Sequence, residues 1–313
     1  MKTAITEMFG VRYPILLAGM GRVALPRMVA AVSNAGGLGV LGAGSTPPEQ
    51  TREYIREIRS LTDKPFGVNT PLMIPNGREN AEVALQEKAA IINYSMGKGD
   101  WIAERAHAYG GKVIASVTNV RLALSAQKHG ADAVIAAGME AAGHAGDVTT
   151  FVLIPRLAEV LKIPVIAAGG AANGAGLMGA LALGAAGVSM GTRFLLTQES
   201  PLHPNFKRAA LDLDVTDTIF SDRYDGVYNR VMRTPAALRA LNARMNPFTV
   251  FFDSFTIARD LDMPYLKMLA QVLAQGPAKT YEMMRMSQML KMHTITLTTG
   301  DVETGMTASG MSV

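Results

Sequence analysis

The sequence predicts a (β/α)8 TIM barrel followed by a mostly helical C-terminal lid lobe. Three observations predict it. Eight short apolar runs recur through the first 190 residues, most followed by turn residues and a helical stretch. Two glycine-bearing segments fall at the ends of the seventh and eighth runs. After Phe194 the alternation stops, charge rises and the loops lengthen. The expected division is a barrel over 1–195 and a lobe over 196–313 that returns to the barrel and acts as a lid or substrate wall.

The runs lie at 14–17, 38–41, 66–69, 90–94, 112–116, 133–135, 164–167 and 187–190. Each has strand length and is rich in Val, Ile, Leu or Ala. Helical spacing is clearest over 25–35, 50–60, 100–109, 119–129, 151–161 and 174–183, and in the lobe over 235–244 and 264–273. Strands that alternate with helices pair in parallel through right-handed crossovers. Eight strands close a barrel. An open doubly wound sheet would need a glycine fingerprint directly after its first strand. The Gly36-Gly37-Leu38-Gly39 segment precedes a strand instead.

Composition narrows the function. Of 313 residues, 49% are apolar and 18% charged, enough for a large core. The net charge of +4 comes without a Lys/Arg run, which argues against a nucleic-acid partner. The chain has no cysteine, which excludes disulfides, Cys-ligated zinc and thiol catalysis. A cytoplasmic setting is expected. The N-terminal segment has no signal-peptide apolar core, and the weakly polar stretch from Gly174 to Gly191 reads as barrel interior, so no membrane association is expected. No histidine pair has metal-ligand spacing. The late methionines, Met283, Met284, Met286, Met289 and Met292, suit an adaptable apolar surface, although ordinary core filling is the leading explanation.

The two glycine segments have the chemistry of a phosphate cradle. They are Ile166-Ala-Ala-Gly169-Gly170 and Ser189-Met190-Gly191-Thr192-Arg193. Glycine lets backbone N–H groups approach an anion without a Cβ in the way. Barrels often hold phosphate between the loops after strands seven and eight. Arg193 is either a phosphate partner or a surface ion-pair former. His144 is the candidate catalytic residue, because it follows the sixth run on a loop where barrels place chemistry. An imidazole can take up or release a proton near neutral pH. His107 and His129 fall on helix exteriors, His203 reads as loop structure, and His293 lies in the methionine-rich lobe.

The ordered motifs carry a family resemblance. They are Tyr13-Pro-Ile-Leu-Leu-Ala-Gly-Met20, Asn34-Ala-Gly-Gly-Leu-Gly39, Asp63-Lys-Pro-Phe-Gly-Val-Asn69, Gly130-Ala-Asp-Ala-Val134, Gly138-Met-Glu-Ala-Ala-Gly-His144, Ile163-Pro-Val-Ile-Ala-Ala-Gly-Gly170 and Met190-Gly-Thr-Arg-Phe194. Together they resemble the nitronate monooxygenase (2-nitropropane dioxygenase) superfamily of FMN-dependent enzymes, which includes enoyl-acyl-carrier-protein reductase II and acyl-CoA thioester reductases. Past 207 the likeness is best to the thioester reductases, through Asp225-Gly226, Arg230-Val231 and Thr304-Gly-Met-Thr-Ala-Ser-Gly310. The resemblance implies that Gly19 and Met20 lie against the flavin ring, that Asn69 hydrogen-bonds a ring heteroatom, and that Ser116 contacts the flavin. It puts Glu140, Gly143 and His144 along the site, and Gly169, Gly170, Gly191 and Thr192 on the phosphate. Met190 joins the cofactor set within the eighth-strand segment. Two positions depart from the family pattern: Leu17-Ala18 precedes Gly19-Met20, and Ala142 stands where Gly-Gly-His is usual. The chain also stops at Val313 where relatives continue into a final helix, which marks the C-terminus as a candidate truncation.

The implied activity is NAD(P)H-linked reduction of a double bond conjugated to an acyl thioester. FMN is the cofactor, NADH or NADPH the reductant, and an acyl-CoA or acyl-carrier-protein ester the substrate. A homodimer is a candidate assembly. The alternatives are a nitronate monooxygenase that uses O2, an NADH:quinone reductase, and a flavin-free phosphate-ligand barrel.

Overall fold

A computed structural model describes residues 1–224, 226–243, 265–266, 285, 288–289 and 291–311. The chain divides into two compact units, Met1–Pro201 with Gly310–Val313, and Leu202–Ser309.

The first unit is a (β/α)8 barrel. Its strands are β1 (Ile15–Leu17), β2 (Gly39–Gly42), β3 (Phe66–Pro71), β4 (Ile91–Ser95), β5 (Lys112–Val117), β6 (Ala133–Ala137), β7 (Val165–Ala168) and β8 (Gly187–Met190). All the pairings are parallel, in the order β1-β8-β7-β6-β5-β4-β3-β2. The seam between β1 and β2 closes through a parallel bridge of Leu16 to Leu38. There Leu17 N donates to Leu38 O and Leu38 N to Ile15 O, both at 2.9 Å. Gly39 must be glycine, since a Cβ would run into the Val29 carbonyl. The glycine run before β2 therefore packs a helix onto a strand.

Helices α2 (Pro26–Asn34), α3 (Pro48–Leu61), α4 (Gly77–Gln86), α5 (Asp100–His107), α6 (Val120–Lys128), α7 (Thr150–Val160) and α8 (Gly174–Ala182) follow β1 to β7 in turn. After β8 comes only the short α9 (Thr192–Leu195). The strand starts are sealed by α1 (Ala4–Phe9), which the sequence reading did not name. Its Ile5 and Phe9 join Leu16, Leu38, Ile91, Ile114, Ala133 and Ile166 in one buried cluster. With that end filled by apolar side chains, chemistry is left to the opposite, C-terminal ends of the strands.

The second unit holds α10 (Pro204–Leu211), α11 (Pro235–Asn242) and an antiparallel hairpin of β9 (Thr218–Ser221) and β10 (Asn229–Met232). No strand is expected here from the sequence. A core of Tyr224, Val231, Ala237 and Met306 joins hairpin and helix, with Met289 and Met292 packed against it. These two methionines fill core. Met283, Met284, Met286 and Asp225 lie outside the described residues, as does the helix expected over 264–273 except for Tyr265 and Leu266. No described helix is long and apolar enough to cross a membrane.

Candidate active site

The expected site residues sort into three groups at the C-terminal ends of the strands. The first is a cradle between the β1 loop and β3. Gly19 presses on Asn69: a Cβ at position 19 would overlap the Asn69 Cβ and lie 2.7 Å from its Cγ. Only glycine fits beside this amide. The Met20 carbonyl occupies the space a Gly42 Cβ would need, and Val23 and Ala24 donate to that carbonyl at 3.2 and 2.9 Å. Gly42, at the end of β2, therefore sets the height of the first loop, a role the sequence reading missed.

From Asn69 a buried polar relay crosses three strands. Asn69 Nδ2 donates to Asn93 Oδ1 at 2.7 Å, and Asn93 Nδ2 donates to Ser116 Oγ at 3.0 Å and to Ile114 O at 3.2 Å. Asn69 and Asn93 are 7% and 2% exposed, so their amides need these partners. Asn93 is absent from the expected set. Its signal was there: one amide inside the otherwise apolar Ala90-Ile-Ile-Asn-Tyr94 run.

The second group is the corner formed by the ends of β7 and β8. Gly169 and Gly170 both adopt left-handed backbone, with φ of +103° and +74°. Their tasks differ. A Cβ on Gly169 would sit 2.7 Å from Ala141 N, so this glycine packs the β6 loop. A Cβ on Gly170 would meet nothing nearer than Glu140 Cβ at 4.0 Å, and one on Gly191 nothing nearer than Met20 Sδ at 3.7 Å. These two glycines leave open space above the backbone that internal packing does not use. Arg193 Nε donates to Ala172 O at 3.0 Å and ties the β8 loop to the β7 loop. Of the two readings for Arg193, the structure adds a third, a clasp between the candidate phosphate loops. Met190 is buried, and its carbonyl accepts from Ala18 N at 2.9 Å. Thr192 Oγ1 accepts from Gly310 N at 2.8 Å, which leaves its hydroxyl hydrogen to donate elsewhere.

The third group is the loop after β6. Glu140 turns its carboxylate onto the start of α7: its oxygens accept from Thr150 N at 3.1 and 2.9 Å and from Thr150 Oγ1 at 2.8 Å. That geometry makes Glu140 an anchor for the loop. A Gly138 Cβ would collide with Thr150 Oγ1, so the close approach needs that glycine. The loop closes on itself through Met139 N to Val148 O at 2.9 Å. Gly143 takes φ of +70° with open space where a Cβ would be, and His144 follows it, exposed. His107 is elsewhere, with Nε2 2.9 Å from Asp132 Oδ2, and His203 accepts from Asn205 N at the start of α10.

The chain matches the nitronate monooxygenase family over residues 2–101 and 78–287. It belongs to that family. As a member it is an oxidoreductase. Among its relatives, (3aS,4S,5R,7aS)-5-hydroxy-7a-methyl-1-oxo-octahydro-1H-indene-4-carboxyl-CoA dehydrogenase of Rhodococcus jostii (strain RHA1) is 40% identical over 75% of this chain. That alignment spans 66% of the relative, just under two thirds of its length. FabK from Thermotoga maritima superposes with a TM-score of 0.83 at 34% identity, covering 99% of this chain and 89% of FabK. Nitroalkane oxidase from Streptomyces ansochromogenes gives a TM-score of 0.70 at 28% identity, over 76% of this chain and 81% of that one.

Proposed function

We propose that the chain is an FMN-dependent reductase of a double bond conjugated to an acyl thioester, with NADH or NADPH as hydride source. The observation that carries it is the likeness to a carboxyl-CoA dehydrogenase at 40% identity, stronger than the 32% of the probable nitronate monooxygenase of Staphylococcus aureus (strain Newman). A dehydrogenase of a CoA ester and a reductase of an enoyl ester work on one type of equilibrium from opposite sides. The reduced nicotinamide cofactor sets the direction here.

The residues fit FMN. Gly19 leaves a flat approach beside the Asn69 amide, and Gly170 and Gly191 leave backbone open where a phosphate would sit. FMN, when bound, supplies a two-electron hydride carrier. Gly170, Gly191 and Thr192 would hold its phosphate through backbone N–H groups and one hydroxyl. Gly169, Arg193 and Glu140 would fix the loops that present them. Gly19, Met20, Asn69 and Ser116 would hold the ring. His144 would deliver the proton that must reach the substrate α-carbon when hydride adds to the β-carbon. Its position beside Gly143 is exposed.

Anaerobic NADH or NADPH should bleach the yellow protein, and an enoyl-CoA should restore the colour. If propionate 3-nitronate bleaches it and neither nicotinamide cofactor does, the chain is a nitronate monooxygenase. His144→Ala should leave FMN bound and slow thioester turnover by about 100-fold or more. Unchanged turnover would assign the proton to water.

A further inference from the structure

We infer that Asn93 is a positioning residue that forces Asn69 to meet its ligand as a hydrogen-bond acceptor only. One partner in the relay has a role that cannot change. Ile114 O is a backbone carbonyl and can only accept. It lies 3.2 Å from Asn93 Nδ2, so that end of the Asn93 amide must be the NH2 group. The other end, Oδ1, must then face Asn69, and only the Asn69 NH2 can donate to it, as it does at 2.7 Å. The same Asn69 nitrogen also points at Asn93 O, at 3.5 Å. The NH2 end of Asn69 is therefore turned to Asn93, and its oxygen end to the ligand.

What remains is Asn69 Oδ1. It lies 3.1 Å from where a Gly19 Cβ would be, and it is not among the sealed polar atoms of the core. The far end of the relay has the opposite polarity. Ser116 Oγ accepts from Asn93 at 3.0 Å; its oxygen stands 3.5 Å from Asn93 Oδ1, which Asn69 already serves at 2.7 Å, and because a hydroxyl rotates its hydrogen can turn outward to donate. Across three neighbouring strands the site shows an acceptor at Asn69 and a donor at Ser116. That pattern complements an imide edge, in which an N–H stands beside a carbonyl. On the FMN reading, on which this inference rests, the edge is the pyrimidine side of the isoalloxazine ring: Asn69 takes the N3–H and Ser116 serves a neighbouring carbonyl. A free amide at 69 could present either end, and half of its orientations would set a donor against a donor.

The test reads the N3–H itself. The apo-protein is loaded with FMN labelled with 15N at N3, and the N3–H exchange rate with water is measured by proton–nitrogen NMR. FMN affinity is measured in parallel by quenching of flavin fluorescence. In the wild type the N3–H should be protected. In Ser116→Ala protection should persist, because Ile114 O still orients Asn93. In Asn93→Leu the Asn69 amide is released, exchange should rise about tenfold or more, and FMN should bind about tenfold more weakly. Asn93→Ser, too short to span the strands, should behave like Asn93→Leu and serves if the larger apolar side chain disturbs folding, which circular dichroism checks. A merely structural Asn93 would lower the melting temperature and leave N3–H protection as in the wild type; that result overturns the inference. Protection lost in Ser116→Ala but kept in Asn93→Leu overturns it too. A wild-type protein that quenches no FMN removes the flavin reading instead.

Discussion

Gly169 and Gly191 look alike in sequence, and the structure gives them different physics. Gly169 carries φ of +103°, and a Cβ there would stand 2.7 Å from Ala141 N. Gly169→Ala should destabilise the barrel by about 2 kcal/mol or more, from the left-handed backbone and the overlap together. Gly191 has φ of −104°, which any residue adopts, and its nearest neighbour is 3.7 Å away. Gly191→Ala should keep the wild-type melting temperature and lose FMN affinity by about tenfold, because the methyl fills the space a phosphate oxygen would use. Melting curves and fluorescence titrations on the two variants separate packing from binding. Equal FMN affinity in Gly191→Ala would move the phosphate away from β8. At this scale the sequence showed which residue types cluster, and the glycine motifs were legible. It could not show that one glycine of each kind was present, because that depends on what the β6 loop brings alongside. Asn93 is the same lesson: its amide was visible, but its direction is set by the Ile114 carbonyl on a neighbouring strand.

The barrel strands were legible because each is a buried apolar run closed by turn residues, and all eight expected runs became strands. The elements that escaped have weak signatures. Helix α1 has six residues, and its capping box uses Thr3 and Thr6 where an acidic third residue would be the stronger sign. Helix α4 starts with Gly77 after a left-handed Asn76 and buries a polar residue, Asn80, whose Nδ2 donates to Gly44 O and Thr46 O. The hairpin of β9 and β10 depends on a core assembled around Tyr224. Burial pushes that phenol up to about 12, and its hydroxyl donates to Ala237 O at 3.3 Å. The raised value has a direct consequence. Below pH ~10 the phenol is neutral in both folded and unfolded chains and its contribution is whole. Between pH ~10 and about 12 the unfolded chain ionises first, so stability falls as pH rises. Melting temperature measured from pH 9 upward should therefore decline, and Tyr224→Phe should make that decline shallower. Burial raises Tyr94 and Tyr109 as well, so part of the slope should remain. An identical slope in Tyr224→Phe would show that the second unit opens before its core tyrosine titrates.

For the whole molecule, the arrangement places every residue assigned to FMN within Met1–Pro201. The apolar plug of Ile5 and Phe9 fills the other end of the same barrel, so folding and cofactor binding share one set of strands. A ligand that binds the folded chain alone stabilises it by mass action, about 2.7 kcal/mol when present at 100 times its dissociation constant. FMN added to apo-protein should therefore raise the melting temperature in a concentration-dependent way. Riboflavin, which lacks the phosphate, should raise it less at equal concentration, and the difference should vanish in Gly191→Ala if β8 holds the phosphate. Inorganic phosphate alone should compete with FMN at that corner. A melting temperature that responds to phosphate and sugar phosphates but not to FMN would identify a flavin-free phosphate-ligand barrel. That outcome would leave the fold and the Gly170–Gly191 corner in place and remove the redox chemistry. A response to FMN and riboflavin alike would keep the ring cradle at Gly19 and Asn69 and empty the corner of its role. The three ligands thus test the two ends of the proposed site separately, on the unmodified chain.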